Sequence, residues 1–146
     1  MVAQASVLVH APLDCVHQAV LDPSAYSDGA TKVQDMVVES RAEGQLVARI
    51  NGHLGPFHSS IRARYTLHHD RVDLEMLQGR LRDFRAVFLF EPQGDAIRLT
   101  HREQYDFGYP LISPLLDRVL HSWATKTVEA EVRALKVAAE ARAQAA

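Results

Sequence analysis

Apolar and polar residues alternate with period two from Thr31 to Phe107, and turn-forming residues interrupt the alternation about every dozen positions. The cleanest stretch sets Phe57, Ser59, Ile61, Ala63, Tyr65 and Leu67 against His58, Ser60, Arg62, Arg64 and Thr66. Such a strand has one apolar and one wet face. Similar alternation predicts strands over 33–40, 45–51, 72–78, 84–90 and 97–106, with Gly52–Pro56 read as a loop. Ala5–His10 adds a short first strand, and two short helical pieces follow it, one opened by Pro12 and one by Pro23. Asp28-Gly29 is a turn signal. After Asp106-Phe-Gly-Tyr-Pro110 the period lengthens, and a single helix is predicted from about Leu111 to about Ala143, started or kinked at Ser113-Pro114. Its apolar positions are Ile112, Leu115, Leu116, Val119, Leu120 and Trp123, then Val128, Val132, Leu135 and Ala139. The pattern is α+β: a seven-stranded antiparallel meander with two short helices between strands one and two, closed by one long helix.

The 146 residues are expected to form a single domain, and 47% hydrophobic with 23% charged content suits a globular one. A net charge of −2 gives no reason to expect a nucleic-acid partner. The one cysteine, Cys15, excludes an internal disulfide. The N-terminus has no basic start and no apolar run, and no stretch approaches the ~18 apolar residues of a membrane span. A cytoplasmic location without membrane insertion is therefore expected.

Phe57, Tyr65, Met76, Phe84, Phe88 and Tyr105 fall on the face assigned to the interior, with the small residues Ser59, Ala63 and Ala86 leaving room beside them. They either pack against the long helix or line a ligand cavity. His101 and Glu103 share that face with Leu99 and Tyr105 because strand side chains alternate. An inward glutamate needs a partner or solvent. Arg80, Arg82 and Arg118 are the candidate partners, unless the strand end emerges into water. A buried pair would be suited to proton transfer, which makes His101, Glu103 and Tyr105 the candidate catalytic residues. Gln78 and Tyr65 are further polar groups for orienting a ligand. On the helix, Leu115, Val119 and Trp123 are expected to face the sheet, with Arg118 beside them for a ligand carboxylate, and the segment from Val128 onward to serve as an anchor. No metal site is expected, because none of the eight histidines has a ligand spacing with cysteine or carboxylate. No phosphate-binding loop, dinucleotide fingerprint or nucleophile elbow occurs, so no cofactor is expected.

Val7-Leu-Val9, Ala11-Pro-Leu-Asp-Cys-Val16, Val20-Leu-Asp-Pro-Ser-Ala-Tyr26, Leu81-Arg-Asp-Phe-Arg-Ala-Val-Phe-Leu-Phe-Glu-Pro92 and Tyr105-Asp-Phe-Gly-Tyr-Pro110 occur in the order strand, helix, helix, six strands, long helix. In this the chain resembles the START/Bet v 1-like superfamily, and within it the bacterial polyketide cyclase/dehydrase and coenzyme Q-binding group. It departs from that pattern after Tyr26, where Ser27-Asp28-Gly29-Ala30 lacks the expected aromatic and proline. The resemblance implies a helix-grip fold, in which a curved sheet wraps the C-terminal helix around an apolar cavity. It implies a binding or carrier protein for a lipid, quinone or polyketide-like molecule. A cyclase/dehydratase and a protein-interaction module are the alternatives.

Overall fold

The computed structural model describes residues 1–26, 31–108 and 114–145. Expectations for Asp28-Gly29, for Tyr109-Pro110 and for the helix start at Leu111–Ser113 lie outside the described residues. The chain forms β1 (Val2–Val9), α1 (Leu13–Val20), a 3-10 turn (Pro23–Tyr26), β2 (Val33–Ala42), β3 (Gln45–Leu54), β4 (Phe57–Leu67), β5 (Arg71–Gln78), β6 (Asp83–Gln93), β7 (Ala96–Asp106) and α2 (Pro114–Ala145). The strands make one antiparallel sheet in the order β1-β7-β6-β5-β4-β3-β2. This is the helix-grip α+β architecture, with α2 about 48 Å long at the usual ~1.5 Å rise per residue. Among the described residues no helix is long and apolar enough to cross a membrane.

The expected seven-stranded meander holds only for β2 to β7: β1 pairs with β7, so β1 and β2, consecutive in sequence, occupy opposite edges of the sheet. α1 and the 3-10 turn carry the chain between them. α1 buries Val16, Ala19 and Val20. Tyr26 fixes the end of the crossing, its hydroxyl donating to the Val20 carbonyl at 2.6 Å. Gly44 and Gly94 take positive φ, 72° and 63°, in the β2–β3 and β6–β7 hairpin turns, a conformation side chains resist.

The loop expected over Gly52–Pro56 is mostly strand. β3 continues to Leu54, pairing Gly52 with Ser59, His53 with His58 and Leu54 with Phe57. Gly52 is instead a point of close approach. A Cβ there would lie 2.1 Å from the Lys32 carbonyl oxygen, which accepts the His53 N–H at 3.0 Å. The missing side chain lets the chain entering β2 fold down onto β3 and fixes where Lys32 begins. Gly52→Ala is expected to cost about 1–3 kcal/mol through this backbone collision. Urea unfolding of the two proteins measures it, and the midpoint should fall without a change in slope.

Candidate functional site

The inner face of β7 carries Leu99, His101, Glu103 and Tyr105, all buried. Its neighbours shape the space around them. On β6 the opposite residues are Phe88 for His101, Ala86 for Glu103 and Phe84 for Tyr105. On β1 they are Ala5 and Ala3 for His101 and Glu103. The aromatics support the rings: Phe88 stacks on His101 at 4.0 Å between centroids, and Phe84 tilts against Tyr105 at 4.9 Å. The alanines leave a hollow above Glu103. α2 crosses over β1 and β7, and its buried stripe Ala124, Val128, Leu135, Ala139 includes one charged residue, Glu131.

Lys32, from the far edge of the sheet, fills that hollow. Its ammonium donates to both oxygens of Glu103, at 2.7 and 2.6 Å, and to Glu131 at 2.7 Å. The His101 Nε2 lies 3.0 Å from Glu131 Oε2 and 3.4 Å from Glu103 Oε2. Its Nδ1 lies 3.3 Å from the Val87 carbonyl. The Tyr105 hydroxyl donates to Glu103 Oε1 at 2.9 Å. Glu103 and Glu131 are only 2% and 3% exposed, so each needs full compensation. Two cations face two carboxylates, and the cluster is neutral as a whole.

Burial by itself would lower the His101 pKa, but hydrogen bonds to the two carboxylates, with their charges, outweigh it and push it up to about 9. Burial would raise the Glu103 carboxyl, but the Lys32 charge and the His101 hydrogen bond hold it well below the usual range, at about 2. Both groups are therefore ionised at neutral pH. Burial also raises the hydroxyls of Tyr26, Tyr65 and Tyr105.

This cluster forms the polar end of a pocket that opens partly to solvent. Its walls are apolar: Val33, Ile50, Leu54, Ile61, Leu74 and Leu81, with the rings of Phe84 and Phe88. The space open to the centres of water molecules is about 80 Å³, within about 630 Å³ of non-atom space that includes the open side. That accommodates a narrow or partly inserted ligand. The donor atoms of His101, Glu103 and Glu131 lie within 4.8 Å of one another, a spacing that suits a metal ion. Here the Lys32 ammonium holds the cationic position between the carboxylates.

Of the residues singled out in the sequence, Ser59, Tyr65, Phe84, Phe88, His101, Glu103 and Tyr105 line the pocket. Met76 is half-buried against the core but does not line it. Phe57 has the inward parity yet is 71% exposed. It stands at the tip of β4, beyond the Arg62–Gln78 pair where β5 joins. Gln78 lies at that same frayed end, after a bulge, and is exposed.

The helix requires a correction of phase. At ~100° per residue, Leu115 is about 180° from the inward Ala124, Val119 about 140° and Arg118 about 120°. Leu115 and Val119 are accordingly 69% and 55% exposed, and Arg118 is exposed too. Trp123 is half-buried at the flank of the inward stripe. Leu120 is the residue in phase, within 3.2 Å of the Cβ position at Gly55. The second half of α2, expected only to anchor, supplies Glu131 to the pocket. The partner of Glu103 is Lys32, not Arg80, Arg82 or Arg118. Lys32 precedes the first residue of its strand and gave no signal. Glu131 did give one, as a lone acid three positions after Val128 in an apolar stripe.

Lys32→Met is expected to destabilise the fold by about 3–5 kcal/mol, because it leaves a buried carboxylate without its cation. Lys32→Met with Glu103→Gln should recover part of that loss, and a double-mutant cycle from urea unfolding measures the coupling. The pH dependence has a definite sign. The His101 value is raised above its ordinary 6.5, so its contribution to stability is complete below pH 6.5 and disappears as pH rises through about 9. Glu103 is depressed below its ordinary 4.5, so its contribution is present above pH 4.5 and disappears as pH falls toward about 2. Unfolding free energy measured against pH should lose its alkaline decline in His101→Gln, and ring nitrogen NMR should show both His101 N–H groups at neutral pH.

Solved structures share the fold at low sequence identity. The chain aligns with TTHA0849 from Thermus thermophilus at a TM-score of 0.85 and 16% identity, covering 97% of this chain and 99% of that one. It aligns with the ZhuI aromatase/cyclase from Streptomyces sp. R1128 at 0.74 and 15%, covering 97% and 94%. A START superfamily protein from Mycobacterium smegmatis aligns at 0.68 and 15%, covering 99% and 97%. No curated protein matches the chain in sequence. The family model described as polyketide cyclase / dehydrase and lipid transport matches residues 9–131, from the end of β1 to Glu131 in α2. The chain therefore belongs to the polyketide cyclase / dehydrase and lipid transport family.

Proposed function

We propose that this protein binds or carries a hydrophobic small molecule of the lipid, quinone or polyketide-like class, held between the sheet and α2. The observation that carries this reading is the polarity of the pocket: largely apolar walls, interrupted by Ser59 and His53, leading to a buried polar end that is already neutralised. Burying apolar ligand surface against such walls supplies about 25 cal/mol per Å² before ordering costs. The polar end then orients the molecule.

One observation favours a cyclase or dehydratase instead. Tyr105, Glu103 and His101 form a continuous hydrogen-bonded chain that reaches the pocket. Against proton transfer stand the charge states. A carboxylate held at about 2 is a poor base at neutral pH, and its partner imidazole is already protonated. Full turnover of an identified substrate by His101→Ala and Glu103→Gln would remove the enzymatic reading.

Native mass spectrometry of the protein purified from its own organism tests the binding reading. A co-purifying apolar molecule is expected, and Ile61→Trp, which puts an indole on the pocket wall, should lose it. A bare protein that also takes up no lipid, quinone or aromatic polyketide from a panel would overturn it.

A further inference from the structure

We infer that the pocket selects an uncharged ligand whose polar end is a hydroxyl, and that it discriminates against carboxylates. This rests on the binding reading above and deepens it. The argument follows the protons at the buried end. Lys32 has three N–H groups and three carboxylate contacts, so none remains for a ligand. Both ring nitrogens of His101 are engaged, one by the Val87 carbonyl and one by the carboxylates. Tyr105 donates its hydroxyl hydrogen bond to Glu103, and Tyr26 donates its own to the Val20 carbonyl. Among the described residues, every cationic donor at this buried end is engaged.

What remains are acceptors and the neutral hydroxyls of Tyr65 and Ser59. The phenol oxygens of Tyr105 and Tyr26 keep lone pairs toward the pocket they line. Tyr65 is the adaptable member. Among the described residues its hydroxyl hydrogen-bonds to the Met36 sulfur alone, at 3.9 Å, a weak acceptor that a ligand oxygen would replace. A ligand hydroxyl satisfies both sides of this arrangement, donating to the Tyr105 oxygen and accepting from Tyr65. A ligand carboxylate cannot. It would lose its water in an apolar cleft, meet no unengaged cation among the described residues, and lie near Glu103 and Glu131. The neutrality of the cluster, which makes it stable, also removes its capacity to hold an anion.

Three matched aromatic probes test this: 2-naphthol, 2-naphthoate and naphthalene, titrated into the intact protein by calorimetry or NMR at neutral pH, where a phenol with pKa near ~10 keeps its proton. 2-Naphthol is expected to bind at least about tenfold more tightly than either of the others. Glu103→Gln leaves the cluster with one excess positive charge, and 2-naphthoate should then gain on 2-naphthol. Glu131→Gln makes the same change from the helix and serves if the first variant does not fold. Tyr65→Phe should shrink the advantage of 2-naphthol over naphthalene. Naphthoate binding as tightly as naphthol, or naphthol binding no better than naphthalene, overturns the hydroxyl selection and leaves the apolar pocket standing. Failure of all three probes to bind would overturn the pocket reading itself, and this inference with it.

Discussion

A lysine from one edge of the sheet forms an ion pair with a glutamate next to the opposite edge, and the architecture turns on that contact. β2 and β7 stand at the far end and second place of the strand order, with four strands between them. The Lys32 ammonium can lie 2.6 Å from Glu103 only because the sheet curls until its two sides approach. α2 closes the remaining angle by adding Glu131 to the same cation. Sheet, helix and edge crossing are thus joined at one buried point. Charges this far from water stabilise little by their presence, but removing one strands the rest. The cluster acts as a lock on the curvature more than as a source of net stability.

That lock depends on residues with no charge at all. Gly52 gives up its side chain so that the Lys32 backbone can settle on β3. Ala3, Ala5 and Ala86 surround His101 and Glu103 with short side chains, so the helix comes near enough for Glu131 to reach. Phe88 stacks on the imidazole and fixes its plane. The curl that the cluster enforces leaves an apolar cleft beneath the helix, and the charged end of that cleft is the cluster itself. Structure and proposed function therefore draw on the same groups, which ties the ligand chemistry to the placement of protons inside the cluster.

The seven strands were legible in the sequence because each is half-buried, and a half-buried strand writes its inner face at every second position. Phe84, Phe88, His101, Glu103 and Tyr105 were placed inward on that ground, and they line the pocket. The reading failed where parity alone does not decide burial. Phe57 has the inward parity but lies beyond the last β4–β5 pair, and a bulge before Gln78 sets it opposite Arg62 on the wet face. It failed again on α2. Leu115, Val119 and Trp123 do share a face, within about 80° at ~100° per residue, but the helix is rotated so that the stripe through Ala124, Val128 and Glu131 meets the sheet instead. Gly52, read as a loop residue from composition, is a strand residue whose lack of a side chain serves a neighbour.

The sequence by itself determined the seven strands, the consecutive pairing of the last six, the long closing helix and the inward pair His101–Glu103, because these follow from local periodicity and short turns. Only the tertiary structure decided what those two residues meet. Lys32 precedes β2 and Glu131 lies deep in the last helix, with Lys32 separated from Glu103 by 71 residues and from Glu131 by 99. No local pattern encodes a partner at that distance. It is fixed by how strongly the sheet curls and by the rotation of the helix on it, both of which depend on packing across the whole inner face.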